Sequence, residues 1–383
     1  MPPSVKCITT EEGFYFHGFY NIQPWDLTGR FFLCHKTDFY HRMPYPEDEA
    51  VLGMIDLEAE KFIPLARTHA WNFQLDCMVH WLGDHSEREI IYNVRKKDHF
   101  ASVVLDIFSG QSREMPQAIF TVSHDGKWAL GHDFARVYSY RPGYGYPGVP
   151  YPNGVGIPHD EGIMKLDISE GKSKLLISFK EIAEKFWISE MKDMFVIISR
   201  CLFNADDSRF AFSFRFYHPE QEKWYTTLVT ANPDGSDMFQ VADFKADPAH
   251  FDWYGKDHLL VWSDMEGTGK KCFYLIKDKS GEYMPVGKDQ FTEDGHCCFS
   301  PDRRFFVSDT FPDSNAEQQL ILFELSSGKK IELGSFKTFS QWAGDIRCDL
   351  HPCWNRSGDK ISFDSIHEGR RAVYVLDIKE YIL

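Results

Sequence analysis

Two kinds of turn alternate along the whole chain, and this alternation constrains the fold more than any other feature. The first is a tight polar turn after a short aromatic stretch, at residues 26–30, 82–84, 123–127, 204–208, 254–257, 300–303 and 355–359. The second sits inside an apolar hairpin, at 58–61, 109–113, 169–172, 234–237, 279–282 and 326–329. A last apolar stretch, 372–378, ends where a further hairpin turn would fall. The chain therefore divides into seven units of about 40–55 residues, the period of propeller blades.

Each unit reads as four strands with period-two alternation. In the sixth these are 297–300, 304–308, 320–324 and 330–333. The seventh supplies 349–354, 360–364 and 372–378, leaving little chain for an outer strand. A segment near 13–17 is predicted to supply it, because a closed ring leaves no exposed sheet edge. The expectation is an all-β fold: one domain over 1–383, a seven-bladed β-propeller closed by an N-terminal strand. A long Gly/Pro/Tyr-rich insertion, 134–160, interrupts the third unit between its second and third strands, and loops of that length are usually functional. Apolar residues at helical spacing (Ile182, Phe186, Trp187, Met191) predict a connecting helix over 179–194.

Composition narrows the partners. A net charge of −15 argues against a nucleic-acid surface, leaving an acidic polymer only a local arginine cluster to bind. The nine cysteines show no zinc-finger spacing and read as reduced thiols of a cytoplasmic protein. No basic-then-apolar leader opens the chain, and no apolar run is long enough for a membrane span. Nucleophile-elbow, dinucleotide-binding and P-loop motifs are absent, so serine-hydrolase and nucleotide chemistry are not expected.

Aligning the inner strands brings candidate site residues together. Counting back four from Tyr254, Ser300 and Asn355 gives His250, His296 and His351, and from Asn204 gives Arg200. Equivalent positions on neighbouring inner strands converge at one mouth of the channel. Second strands end at the same mouth, on Asn93, Asp133, Arg215, Asp264, Asp309 and Asp364. Three imidazoles with a carboxylate suit Zn²⁺ or Mn²⁺. Asp309 is the expected fourth ligand and Cys348 its rival; a metal-free polar lining is the alternative. Arg136, Arg141 and Arg215 can turn into the same cleft and grip a carboxylate. Gln74 joins Asn93, Arg141 and Arg200 as an expected substrate contact. Tyr144 of the insertion, with His99 and His41 from loops on this face, supplies proton-transfer candidates. His80 lies mid-strand and reads as a core histidine.

With these residues in hand the chain resembles the propeller-type polysaccharide lyases: oligogalacturonide, ulvan and L-rhamnose–glucuronate lyases. The stretches DGHCCFSPD (294–302) and DLHPCWNRSGDKISFDS (349–365) carry the resemblance most clearly, while FARVYSYRPGYGY (134–146) is similar to uncharacterised bacterial relatives. The resemblance implies metal binding at His296 and His351, and β-elimination next to a uronate carboxylate neutralised by Arg136 and Arg215. Phe73 and Phe120 stand where that group carries proton-transfer residues, so His41, His80, His99 or Tyr144 would have to stand in. The expected function is a lyase for short uronate-containing oligosaccharides. The alternatives are another metal-dependent sugar-acid enzyme on the same site, or a non-enzymatic sugar-binding or protein-interaction propeller.

Overall fold

The computed structural model describes residues 3–9, 11–84, 86–152, 156–339, 341 and 343–382; part of the insertion, 153–155, lies outside these. Seven four-stranded antiparallel sheets form the blades. Strand β1 (Val5–Cys7) is followed by the first blade, β2 (Phe14–Phe16), β3 (Phe31–Thr37), β4 (Ala50–Asp56) and β5 (Lys61–Thr68). The second holds β6 (His80–Trp81), β7 (Glu89–Arg95), β8 (Phe100–Asp106) and β9 (Ser112–Met115). The third holds β10 (Thr121–Val122), β11 (Trp128–Gly131), β12 (Gly162–Asp167) and β13 (Lys172–Ser178). The fourth holds β14 (Val196–Phe203), β15 (Phe210–His218), β16 (Lys223–Ala231) and β17 (Phe239–Ala242). The fifth holds β18 (Phe251–Tyr254), β19 (His258–Ser263), β20 (Cys272–Lys277) and β21 (Tyr283–Val286). The sixth holds β22 (Cys298–Phe299), β23 (Phe305–Asp309), β24 (Glu317–Glu324) and β25 (Lys329–Lys337). The seventh holds β26 (Cys353–Trp354), β27 (Lys360–Ser365) and β28 (Ala372–Asp377), and β1 completes it.

The polar turns between first and second strands share one device. The side-chain oxygens of Asp26, Ser123, Asn204, Ser300 and Asn355 each accept the backbone N–H five residues on, at 2.8 to 3.1 Å. This satisfies a donor the strand pairing leaves free and sets the hairpin register. Blades then pack face to face, so inner and second strands are covered on both sides while outer strands meet solvent. Strand β23 is buried throughout, whereas β9 and β21 each expose all but their last residue. The abundant phenylalanine fills these interfaces: Phe273, Phe291, Phe306 and Phe323 pack edge-on and tilted between the fifth and sixth blades with ring centroids 5.1 to 5.6 Å apart.

An N-terminal strand closes the ring, but it is not the expected one. Val5–Cys7 pairs antiparallel with β28, Val5 opposite Leu376 and Cys7 opposite Tyr374. The segment predicted for this role, 13–17, contains β2, whose Phe16 faces His35 in the inner pairing of the first blade. That inner strand is broken. It resumes only at Trp25, bridged to Phe32, and residues 17–24 leave the sheet between the two. The detached aromatic stretch therefore reads from sequence like a separate strand.

Two further expectations shift. The insertion carries a helix, α1 (Phe134–Tyr140), whose first N–H groups are capped by Asp133. The helix predicted over 179–194 stops early: α2 (Phe179–Lys185) starts at a Ser178–Glu181 capping box, and the chain is extended again at Ile188. Phe186 and Ile188 still pack on the core with Trp187 exposed, which produced helical apolar spacing without a helix. No helix among the described residues is long and apolar enough to cross a membrane.

Candidate functional site

The inner-strand alignment brings the three histidines into contact. The ring of His296 lies 4.3 Å from those of both His250 and His351. His296 and His351 are buried, while the His250 side chain is 20% exposed toward a cleft. Each buried ring is oriented through one nitrogen. His296 Nδ1 is 2.9 Å from Asp309 Oδ1, and the Asp309 carboxylate also accepts the backbone N–H groups of His296 and His351 at 2.7 and 3.1 Å. His351 Nδ1 donates to the carbonyl of Gly18 at 2.7 Å. Burial holds both imidazoles well below the usual histidine range, and each is lowered further by a neighbouring histidine. Both rings are therefore neutral near pH 7, and Nε2 of His351 is a buried lone pair without a partner among the described residues.

The expected metal set was His250, His296, Asp309 and His351. The geometry instead groups His296 and His351 with Asp349, whose ligand atoms lie within 4.8 Å of one another. Asp309 is turned toward Nδ1 of His296 and two backbone N–H groups, so it orients the ring from behind. His250 stands outside the group, with its Nδ1 2.9 Å from Asp294 Oδ1 but off the hydrogen-bonding axis. Cys348 is buried, with its thiol against the Asp349 carbonyl. Two neutral imidazoles braced through Nδ1, an orphaned Nε2 and a carboxylate are a donor set that fits a divalent ion such as Mn²⁺ or Zn²⁺. Asp349 also pairs with Arg347, Nε to Oδ1 at 2.9 Å and Nη2 to Oδ2 at 2.8 Å, so an ion would share that carboxylate with a guanidinium.

Residues 17–24 fill the channel beneath this group. Phe19 packs on Phe120 and His351, and Tyr20 meets the rings of His250, His296 and His351 at 5.6, 4.9 and 6.1 Å. Tyr20 OH accepts a hydrogen bond from Arg200, whose Nη2 reaches Asn21 Oδ1 at 2.6 Å. Burial raises the Tyr20 hydroxyl well above the usual tyrosine range, with Arg200 opposing, so it keeps its proton. Phe19 and Tyr20 line the cleft at one mouth, while Asn21 and Gln23 line the cavities at the other. The segment thus floors both.

The cleft, of about 200 Å³, is lined by Tyr20, Arg141, Tyr144, Arg200, Arg215, His250, Asp294, Phe311 and Arg347, with smaller neighbours. Arg215 donates Nε to Thr226 at 2.9 Å but has no carboxylate partner among the described residues. Burial, and then the neighbouring Arg141 charge, push its guanidinium down to about 9. Arg141 lies 3.7 Å over the Tyr144 ring and is likewise unpaired among the described residues. Tyr144 OH accepts from Arg347 Nη2 at 3.0 Å, leaving its own proton free to be given elsewhere. Two half-buried guanidiniums without a carboxylate partner among the described residues could receive a ligand carboxylate, which would relieve their mutual repulsion.

Other expected residues lie elsewhere. Arg136 is buried with its donors committed to Val196 O, Tyr151, Glu161 and Gly156 O, so it clamps the insertion and does not reach the cleft. Gln74 is buried and holds the carbonyls of Asp345 and Arg347, and Asn93 is spent on both backbone groups of Ile119. His41 is exposed outside the cleft. His99 pairs with Asp98 and borders a separate depression with Tyr151 and Glu161. His80 is half-buried, with Nε2 against the Phe120 carbonyl at 3.2 Å. Sequence reasoning missed Tyr20, Asp294, Arg347 and Asp349. Asp349 and Arg347 stand two and four residues before His351, a spacing that places all three at one inner-strand start.

Comparison with solved structures places the fold. An oligogalacturonate lyase from Vibrio parahaemolyticus superimposes with a TM-score of 0.69 at 15% identity, covering 99% of this chain and 94% of that one. An oligogalacturonate lyase in complex with manganese gives 0.70 at 14% identity with the same coverage. The fold is that of oligogalacturonate lyase. The GH74 xyloglucanase from Xanthomonas campestris is a more distant likeness, at a TM-score of 0.56 and 12% identity over 99% of this chain and 54% of that one. No family model and no curated protein matches the sequence.

Proposed function

We propose that the protein is a lyase that cleaves short uronate-containing oligosaccharides by β-elimination. The observation that carries this reading is the pair of guanidiniums, Arg141 and Arg215, that have no carboxylate partner among the described residues and face a partly exposed His250 beside Asp294 in one cleft. In this reading the uronate carboxylate lies against Arg215 and Arg141. Neutralising it makes the neighbouring C5 proton more acidic, because charge that develops at C5 spreads into a carboxylate already held by cations. His250 accepts the C5 proton, with Asp294 favouring the imidazolium that results. The C5–H electrons form the C4–C5 double bond, the bond from C4 to its oxygen breaks, and Tyr144 protonates the leaving oxygen. Arg347 on Tyr144 stabilises the phenolate left behind. His41 and His99, expected as proton carriers, have no part because they stand outside the cleft.

A divalent ion, manganese or zinc, would be held by His296, His351 and Asp349, and when bound would add positive charge beside the substrate carboxylate. The manganese complex of a protein sharing this fold supports that assignment. All nine cysteines are unpaired, which suits work in a reducing compartment on imported oligomers. The test is incubation with oligogalacturonates while following the near-ultraviolet absorbance of the unsaturated product. Product formation that Arg215→Ala abolishes supports the reading. Tight binding of the oligomer without product would instead make the protein a sugar-binding propeller.

A further inference from the structure

A second group of metal-type ligands lies away from the cleft. His35, on β3 of the first blade, faces Asp76 and Cys77, which lie on the segment leading into the second blade. All three side chains are fully buried. His35 Nε2 is 3.0 Å from Cys77 Sγ, His35 Nδ1 is 3.8 Å from Asp76 Oδ2, and one ligand atom from each residue falls within 4.8 Å of the others. Asp76 Oδ1 is used by the backbone N–H groups of Met78 and Val79, but Oδ2 has no partner among the described residues, and neither has His35 Nδ1.

Buried polar atoms are normally paired, and a buried carboxylate oxygen facing an imidazole nitrogen with no hydrogen bond between them is costly to leave so. Asp76 is held in place at some expense. Its backbone is left-handed at φ 54°, and Gly18 beside it leaves no room for a side chain, since a Cβ there would sit 2.2 Å from Asp76 Oδ2. Imidazole, thiol and carboxylate within 4.8 Å of one another in a dry pocket are three of the ligands that a thiophilic zinc site takes. We infer that His35, Asp76 and Cys77 bind a structural Zn²⁺ ion that pins the first blade to the second, separate from any ion on His296, His351 and Asp349. Binding releases the Cys77 thiol proton and any proton on Asp76, and oxidises nothing. Because the pocket is sealed, the ion enters as the chain folds.

The test uses the whole protein produced with Co²⁺ in place of Zn²⁺. Thiolate ligation to cobalt gives an intense near-ultraviolet charge-transfer band, and the channel group contains no sulfur, so the band reports on this site alone. The band should be present in the wild type and in His351→Ala. It should disappear in Cys77→Ser, with the loss of about one metal equivalent by elemental analysis. A cobalt-loaded wild type without the band, or a Cys77→Ser protein that keeps it, would overturn the assignment. Should Cys77→Ser fail to fold, the wild-type spectrum still decides. Activity of the cleft plays no part in this readout, so the lyase reading and the zinc site stand or fall separately.

Discussion

His351 donates its Nδ1 proton to the carbonyl of Gly18 at 2.7 Å, which leaves its buried Nε2 as a lone pair facing the channel group. Gly18 can do this only in a left-handed conformation, φ 97°, that carries its α-carbon against Asp76. Gly18→Ala forces a Cβ into that carboxylate and should destabilise the protein by about 2–4 kcal/mol. Bound metal should fall with it. Chemical denaturation and elemental analysis of the purified variant check both.

Arg215 and Arg136 separate binding from scaffolding. Arg215→Ala should lower kcat/KM on oligogalacturonate about 10²–10³-fold with little change in the unfolding midpoint, as for loss of a charge-stabilising donor. Arg136→Ala removes a buried guanidinium that pairs with half-buried Glu161 and holds the Val196 carbonyl, and should cost about 1–3 kcal/mol of stability. If Arg136→Ala were as stable as wild type but inactive, the assignment of the cleft would be wrong.

His132 predicts the acid limb of stability. It is buried between Phe120 and Phe134, both ring nitrogens lack partners among the described residues, and burial pushes it down to about 3. An unfolded histidine takes up its proton near pH 6.5, so the unfolded state gains protons that the folded state refuses. Stability therefore falls as pH drops from about 6.5 toward 3, by about 1.4 kcal/mol per unit for this group. His132→Phe should flatten that part of the curve relative to wild type in urea titrations from pH 7 to pH 5.

Turn side chains should matter for stability and not for chemistry. Asn204 Oδ1 accepts the Arg209 N–H, and its Nδ2 reaches the Lys256 carbonyl of the next blade at 2.7 Å. Asn204→Ala removes both and should cost about 1–3 kcal/mol, with kcat/KM unchanged.

Ring closure by β1 is testable by truncation. Removing residues 1–8 strips β28 of its outer neighbour and exposes a sheet edge. The shortened protein should melt several degrees lower and self-associate on heating, which light scattering during a thermal scan would record. A melt matching that of the full chain would show that β1 adds nothing to the ring.

The seven blades were legible from the turns because each unit repeats the same short-range chemistry. Asp26, Ser123, Asn204, Ser300 and Asn355 each cap a backbone group five residues away, so the pattern lies within reach of local sequence. The meeting of His250, His296 and His351 was legible for the same reason, since equal offsets from equal turns give equal heights in the channel. What the tertiary structure alone decided depends on which way a chain turns once it leaves the sheet. Residues 17–24 break out of the first inner strand and carry Tyr20 beneath the histidines, and no repeat encodes that departure. Arg136 and Arg215 look alike in sequence, yet one spends its donors on the insertion and the other keeps them for the cleft. Asp309 and Asp349 likewise differ only in the direction of their carboxylates, toward the back of a ring or toward its lone pair. Local spacing sets the height of a residue in a propeller, and packing between blades sets where its side chain points.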